Sequence, residues 1–241
     1  MAETGNEAER SIQLNRKQGV KIMAQAAGAF DQPLYAVNWL NLKRPVRYKW
    51  YSRLVFSHLV KVRARVFFKG YVTERLSGDP KYDREMLLLV CYPSPESFLK
   101  LISNKWFQVK SILRVTAISR FVFGYVKKRM GKGQPLDKPR PYQGGKTYMV
   151  LLFQGEQSDF DHKLFHDEHP AIELYFLGEQ SAKIARVVDG KELLAPFFID
   201  GIAIWQSGSL EALQQFAESE AFLSFAKASQ ENNVYLVRRT L

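Results

Sequence analysis

"REMLLLVCYPSPESFLKLISNKWFQVKSILRVTAISRFVFGYVKKR", residues 84–129, predicts a strand, a helix and a second strand in direct succession. The apolar run at 84–93 is typical of a buried strand. The helix at 94–119 has Ser94 as its N-cap, followed by a proline and a glutamate that suit a first turn. The chain then returns as a strand at 120–129, which makes this stretch one β-α-β unit of a larger sheet.

The same order of elements precedes this unit and recurs after it. Upstream, strands are predicted at 34–42 and 64–72 on either side of a helix at 44–62. Residues 33–129 therefore follow the order β-α-β-β-α-β. Downstream the order repeats, with predicted strands at 146–154, 182–190, 194–207 and 232–241 and predicted helices at 158–177 and 209–230.

The predicted fold class is α+β, with two ferredoxin-like βαββαβ repeats packed sheet to sheet as an intrachain dimeric α/β barrel. In one repeat both helices cover the same face of the sheet, and an isolated domain does not tolerate such a large bare apolar face. Two repeats cover each other, which explains strands that are apolar on both faces. The predicted organisation is a tail with helical potential at 1–32, a basic first repeat at 33–129, a linker at 130–145 and an acidic second repeat at 146–241.

Composition limits the class of protein. The chain has 241 residues, of which 46% are apolar, and its single cysteine, Cys91, excludes an internal disulfide or a zinc site of paired cysteines. No apolar run reaches about 18 residues and the N-terminus has no signal-peptide core, so we expect a cytoplasmic protein.

Residues 1–145 carry 27 basic and 10 acidic side chains, a net charge of +17, whereas residues 146–241 carry 8 basic and 14 acidic side chains, a net charge of −6. This contrast favours an anionic partner for the first half, or docking between the halves.

Three segments, "YAVNWLNLK", "RVFFKGYVTERLSG" and "LLLVCYPSPESFLKLISNKWFQVKSILR", resemble the DUF1330 branch of the dimeric α/β barrel superfamily. The Gly-Gly pair that precedes the second strand in that family is replaced by Arg63 and Ala64. The second half is loosely similar to the EthD-like branch. The superfamily includes cofactor-free monooxygenases, isomerases and haem-degrading enzymes, so the resemblance implies a fold rather than one activity. The matching positions are Asn38, Arg65, Gly70, Tyr92, Pro93, Ser94, Glu96, Phe98 and Arg114.

The leading functional hypothesis is a small apolar or acyl-like ligand bound in the barrel cavity without a cofactor. If a reaction follows, we expect cofactor-independent oxygenation or isomerisation with His58 as the base, although a hydrogen-bonded core histidine is the alternative. Arg114 suits a ligand carboxylate, or an acid of a neighbouring loop. Asn38 needs a polar partner, either a ligand or a backbone group. Tyr51 and Arg65 complete the predicted ligand set.

A histidine pair with ligand spacing lies in the predicted helix at 158–177. His162 and His166 are four residues apart, which is the spacing of a helical metal site. A third histidine, His169, lies at the break before Pro170 and is excluded from the pair. The alternative is a solvated polar face beside four acids of the same helix.

The basic half predicts a second kind of site, a surface that contacts an anionic membrane or an acidic protein. Cations alternate there with aromatic rings, a mixture that suits a membrane interface better than nucleic acid. A merely solvated basic surface is the alternative, and further oligomerisation remains open. The candidate surface residues are Arg44, Arg47, Lys49, Trp50, Lys105, Trp106, Lys127, Lys128 and Arg129.

Overall fold

A computed structural model describes residues 33–128, 144–154, 168–180, 187–188, 191–192, 200–227, 229 and 231–240. The first half contains β1 (Leu34–Leu42), α1 (Pro45–Lys61), β2 (Arg65–Ser77), β3 (Met86–Tyr92), α2 (Pro95–Ile102), α3 (Lys105–Val115) and β4 (Ile118–Lys128). The second half contains β5 (Thr147–Gln154), β6 (Glu173–Gln180), β7 (Val187–Val188), β8 (Lys191–Glu192), β9 (Gly201–Ser207), α4 (Leu210–Glu218), α5 (Glu220–Lys227) and β10 (Glu231–Arg239).

Local capping sets several helix bounds. The Ser94 hydroxyl accepts a hydrogen bond from the Ser97 N–H and begins α2, as predicted. The single helix predicted over 94–119 is wrong, because Asn104 begins a new helix by accepting from the Phe107 N–H at 3.0 Å. The single helix predicted over 209–230 is likewise two helices, since the Ser219 hydroxyl accepts from the Phe222 N–H.

The turn between α1 and β2 contains a residue in the left-handed conformation. Arg63, directly after α1, has a φ of 57°, a region that glycine occupies without a steric penalty. The next residue, Ala64, donates its N–H to the Leu59 carbonyl at 2.9 Å, which closes the helix end. The turn between α1 and β2 therefore forms without a glycine.

Ten strands of the described residues form one antiparallel sheet that closes on itself. Eight of them run in the order β1-β3-β2-β10-β5-β9-β6-β4, and β4 pairs back to β1. The short strands β7 and β8 extend from β4. The halves are joined edge to edge by the β2–β10 and β4–β6 pairs. The prediction of two sheets packed face to face is thus corrected to a closed eight-stranded barrel.

The helix predicted over 158–177 is wrong in its last part. Pro170 lies in a turn, and residues 173–180 pair with β9 as strand β6. Around a register shift in β6, Tyr175 and Phe176 both contact the barrel interior, while Leu177 contacts the outer core. Residues 158–167, and parts of the strands predicted at 182–190 and 194–207, lie outside the described residues.

Side chains from all eight barrel strands pack together in the barrel interior. Tyr35 lies 5.1 Å from Phe67 and 4.9 Å from Phe176 between ring centroids. A 3₁₀ turn at 80–82 is tied to β1 by a 3.0 Å hydrogen bond from the Trp39 indole N–H to the Tyr82 carbonyl. The protein's own aromatic rings therefore take up much of the space that a ligand would need, while the position beside Gly124 of β4 stays open among the described residues.

Helices cover opposite sides of the barrel. The buried sides of α1, α2 and α3 pack on β1, β3 and β4, and those of α4 and α5 pack on β5, β9 and β10. Within the described part of the chain, no helix has the length and apolar character needed to cross a membrane.

Gly201→Ala should destabilise the barrel by about 2–3 kcal/mol, because overpacking a filled core forces its neighbours to move. An added Cβ would lie 1.9 Å from an atom of the Phe153 ring, which is fully buried and therefore cannot swing into solvent. The measurement is the urea midpoint at constant m-value.

Gly124→Ala is the matched control, since no described atom lies within 4 Å of its added Cβ. It should leave the free energy of unfolding within about 0.5 kcal/mol or raise it slightly. Equal losses in Gly201→Ala and Gly124→Ala would contradict the packing argument.

Candidate ligand site between the helices and the sheet

The polar candidates of the first half lie outside the barrel, in the layer between its helices and the sheet. In β1, Val37 and Trp39 face the interior, whereas Asn38 between them faces the helices. On the helical side, α1 buries Tyr48, Tyr51, Val55 and His58. The predicted ligand residues thus belong to a second core, separate from the barrel interior.

Arg114 is the central charge of this layer. It lies in the last turn of α3, and its guanidinium carbon is 5.1 Å from the centre of the Phe121 ring. Its Nε is buried and donates to no atom of the described residues. A buried donor without an acceptor is costly. Among the described residues, this N–H is therefore a buried donor that remains open to an acceptor.

Three buried tyrosines lie within electrostatic range of that charge. Tyr48, Tyr92 and Tyr125 each interact electrostatically with the Arg114 guanidinium, and their side chains are 5% exposed or less. Burial raises the pKa of each phenol well above its usual range, and the Arg114 charge only partly offsets this rise. All three are neutral at physiological pH and can donate a hydrogen bond. We call Arg114 with these three tyrosines and Tyr51 the Arg114 cluster.

His58 is buried but is engaged by a lysine. Its Nε2 lies 3.0 Å from the Lys110 Nζ, and its ring packs edge-on at 6.3 Å from Phe107. Burial and then the Lys110 charge lower the pKa of His58, so the imidazole is neutral and accepts from the ammonium. No contact within the described residues joins His58 to Arg114, and its assignment as the base remains a prediction.

The other two predicted ligand residues do not join the cluster through any described contact. The Asn38 amide donates to the carbonyls of Ala36 at 3.3 Å and Leu88 at 3.2 Å, which favours the backbone alternative. Arg65 begins β2, half-buried, opposite Cys91 of β3. Tyr51, by contrast, lies 5.8 Å from Tyr48 between ring centroids.

The predicted histidine pair, His162 and His166, lies outside the described residues. Among the residues that are described, no three histidine, cysteine or carboxylate side chains are close enough to hold a metal ion. His169 packs its ring 5.2 Å from Phe216 of α4. The metal site therefore stays a prediction.

The predicted surface residues divide into two groups. Arg44, Lys49, Trp50, Lys105 and Trp106 are exposed and Arg47 is half-exposed, all at or on α1 and α3. Lys127 and Lys128, in contrast, lie in the β4–β6 seam, where Lys127 is opposite Glu179. Arg129 falls outside the described residues.

Three members of the Arg114 cluster, Tyr48, Tyr92 and Tyr125, were missed as site residues. Tyr48 and Tyr51 lie three residues apart on the buried stripe of α1, a spacing that places both on one face. Residues 92 and 125 belong to β3 and β4, which do not pair with each other, so their proximity depends on the β1–β3 and β1–β4 pairings. The signal available was one tyrosine in each apolar strand, which does not identify a common site.

No protein-family model and no curated protein matches this chain, so the resemblance to DUF1330 stays a prediction.

Solved structures do match this chain. An anthrone oxidase-like protein shares 14% identity and a TM-score of 0.50, over 87% of this chain and 93% of its own. A heme-binding protein from Thermus thermophilus shares 8% identity and a TM-score of 0.50, over 88% of this chain and 92% of its own. At these identities the likeness concerns the fold alone. The chain shares the α+β fold of these proteins, and its described strands form a closed barrel within a single chain.

Proposed function

We propose that the first half binds a small apolar molecule carrying an anionic oxygen, in the helix–sheet layer at the Arg114 cluster. The observation that carries this proposal is the buried Nε of Arg114, which has no acceptor in the described structure. A carboxylate can accept from Nε and a terminal nitrogen together, in a bidentate pair. Such a pair is stronger than a neutral hydrogen bond, and a buried site with few polar groups is typical of ligand pockets.

The chemistry of the cluster favours a carboxylic acid or an enolisable carbonyl compound. Neutral phenols at Tyr48, Tyr92 and Tyr125 supply donors, Arg114 supplies a positive charge, and Phe121 supplies an apolar wall. Donors aimed at an oxygen stabilise the negative charge that develops when a proton leaves the adjacent carbon. The site therefore favours the binding of such a compound as its primary function. Isomerase or cofactor-free oxygenase activity on the bound compound is the secondary possibility.

A haem does not fit the described residues of this layer. The Nε2 of His58 lies 3.0 Å from the Lys110 Nζ, so this nitrogen faces a cation and not an open site for a haem iron. The other described histidine, His169, belongs to the second half and packs on Phe216.

We further propose that each half is a ferredoxin-like repeat with the boundaries 33–129 and 146–241. The strand order supports this assignment. The first half runs β4-β1-β3-β2 and the second runs β10-β5-β9-β6. When only the four barrel strands of each half are counted from its start, both halves have the order 4-1-3-2. A cytoplasmic location remains part of the proposal.

Replacing Arg114 should weaken binding of acids selectively. Benzoate and octanoate, compared with benzyl alcohol and octanol, are the probes for calorimetry on the full chain. We expect the wild type to bind an acid more tightly than its alcohol, and Arg114→Gln to lose about tenfold or more of the acid affinity, because a charge-assisted bond is worth about 1.5–3 kcal/mol.

Arg120→Gln is the matched control, since Arg120 is an exposed arginine of β4. It should leave both affinities unchanged. Equal acid affinity in the wild type and Arg114→Gln, or no difference between acids and alcohols, would refute the site. Retained circular dichroism of Arg114→Gln separates loss of binding from loss of folding.

A further inference from the structure

The outward faces of α1 and α3 are apolar, although both helices lie on the surface. Nine of the eleven large apolar side chains that are exposed in the described structure belong to these two helices. On α1 they are Val46, Trp50, Leu54, Phe56 and Val60. At about 100° per residue these five positions span ~160°, opposite the buried side of the helix. α1 is therefore apolar on both its inner and its outer side.

The outer side of α3 has the same character. Trp106 is 71% exposed, and Val109, Ile112 and Val115 follow at steps of three, each more than half exposed. The helices are adjacent, because the Lys110 ammonium of α3 donates to the Leu54 carbonyl of α1 at 3.2 Å. A shallow depression of about 560 Å³ runs between them, with Leu113 on one side and Trp50 on the other. We call these outward surfaces together the α1–α3 face.

All formal charges of the α1–α3 face are positive. Neither Pro45–Lys61 nor Lys105–Val115 contains an aspartate or a glutamate. The cations lie between the apolar positions, and the Arg53 guanidinium covers the Trp50 ring at 5.5 Å. The helices carry Arg47, Lys49, Arg53, Lys61, Lys105, Lys110 and Arg114, with Arg44 at the N-cap of α1.

We propose that the α1–α3 face docks on the surface of an anionic lipid bilayer. Tryptophan and phenylalanine side chains insert at the headgroup boundary, and interspersed cations pair with anionic headgroups. A second copy of this chain is a poor occupant, because self-pairing would place one set of cations against another. The inference is independent of any ligand at Arg114.

The fold also orients the molecule on such a surface. The helices α4 and α5 cover the opposite side of the barrel, and they carry Glu211, Glu218 and Glu220 against one cation, Lys227. An acidic side that faces away from an anionic membrane avoids repulsion, while the basic side faces it. Charge and apolar exposure thus select the same docking side.

Vesicle co-sedimentation of the full chain tests this inference. Vesicles of phosphatidylcholine with about 30% phosphatidylserine should bind the protein at about 50 mM salt, with binding reduced at least tenfold at about 500 mM salt and against pure phosphatidylcholine. Trp50→Ala/Trp106→Ala should lower partitioning by about tenfold or more, and so should Lys49→Glu/Arg53→Glu. The matched control is Leu210→Ala/Leu223→Ala, which removes exposed apolar side chains of α4 and α5 and should change nothing.

Tryptophan fluorescence supplies an independent readout. Trp39 and Trp205 are fully buried, so acrylamide reports on Trp50 and Trp106. We expect strong quenching in the free protein, then protection and a blue shift with anionic vesicles. The absence of vesicle binding at low salt would overturn the proposal. Tryptophans already shielded in the free protein would overturn it too, because a protein partner, a second copy or another segment would then cover the face. Vesicle binding that is unchanged in Trp50→Ala/Trp106→Ala would also overturn it.

Discussion

Trp39→Ala should lower the free energy of unfolding by about 3–5 kcal/mol, the usual cost of deleting a large buried ring. The Trp39 side chain is fully buried in the barrel interior, 4.9 Å from the Tyr235 ring between centroids. Its indole N–H also holds the 80–82 turn through the Tyr82 carbonyl. The substitution therefore removes both packing and a hydrogen bond. Chemical denaturation followed by circular dichroism measures the loss.

Two variants separate these contributions. Trp39→Phe keeps an aromatic ring but leaves the Tyr82 carbonyl without its donor, and should cost about 1–3 kcal/mol. Trp50→Ala makes the same chemical change at a ring that is 57% exposed, and should stay within about 0.5 kcal/mol of the wild type. If Trp39→Ala were no more destabilising than Trp50→Ala, the barrel would not be a packed core, and a ligand could bind inside it after all.

Raising the pH above 10 should unfold the protein in a transition linked to tyrosine ionisation. Burial raises the pKa of Tyr48, Tyr92 and Tyr125 in the folded state above the ordinary value of 10.0. A raised folded-state pKa gives stability that is complete below the unfolded pKa and is lost as the pH rises toward the folded pKa. Each such tyrosine can remove about 1.4 kcal/mol per pH unit in that window. The combined loss exceeds the stability of most domains within a few pH units.

Ultraviolet absorbance of phenolate, recorded with circular dichroism, measures this transition among the 11 tyrosines. Absorbance of the buried group should rise only as the secondary structure is lost. Tyr125→Phe removes one of the linked protons, so its unfolding midpoint should move to higher pH and its transition should become less steep. Complete tyrosine ionisation with native circular dichroism would show that these phenols are accessible and contradict the buried cluster.

Sequence reasoning predicted the first half well where the information is local. The strand at 34–42 and the helix after Pro45 match β1 and α1, because apolar periodicity and capping residues lie within the segments themselves. The strand predicted at 64–72 was too short, because residues 73–77 extend β2. Thr73 donates to the Leu236 carbonyl of β10, a partner that no local pattern indicates. Long-range pairing, not propensity, sets the end of that strand.

The candidate site was predictable only in part for the same reason. Arg114 was identified from the family motif, but its tyrosine neighbours come from three separate elements. Asn38 was correctly expected to need a partner, which proved to be backbone. The helix periodicity of α1 predicted its buried stripe. It did not predict that the remaining apolar positions would stay uncovered, because that depends on which elements pack above the helix.

The two seams of the barrel differ in the length of chain that they close. Lys128 and Gly178 meet across β4–β6, whereas Thr73 and Leu236, which meet across β2–β10, are 163 positions apart. The entropy lost on closing a loop rises with its length, and folding slows as contacts become less local. The β2–β10 seam should therefore close late. Until it does, the edges of β2 and β10 can pair with other chains, so refolding at high protein concentration competes with aggregation.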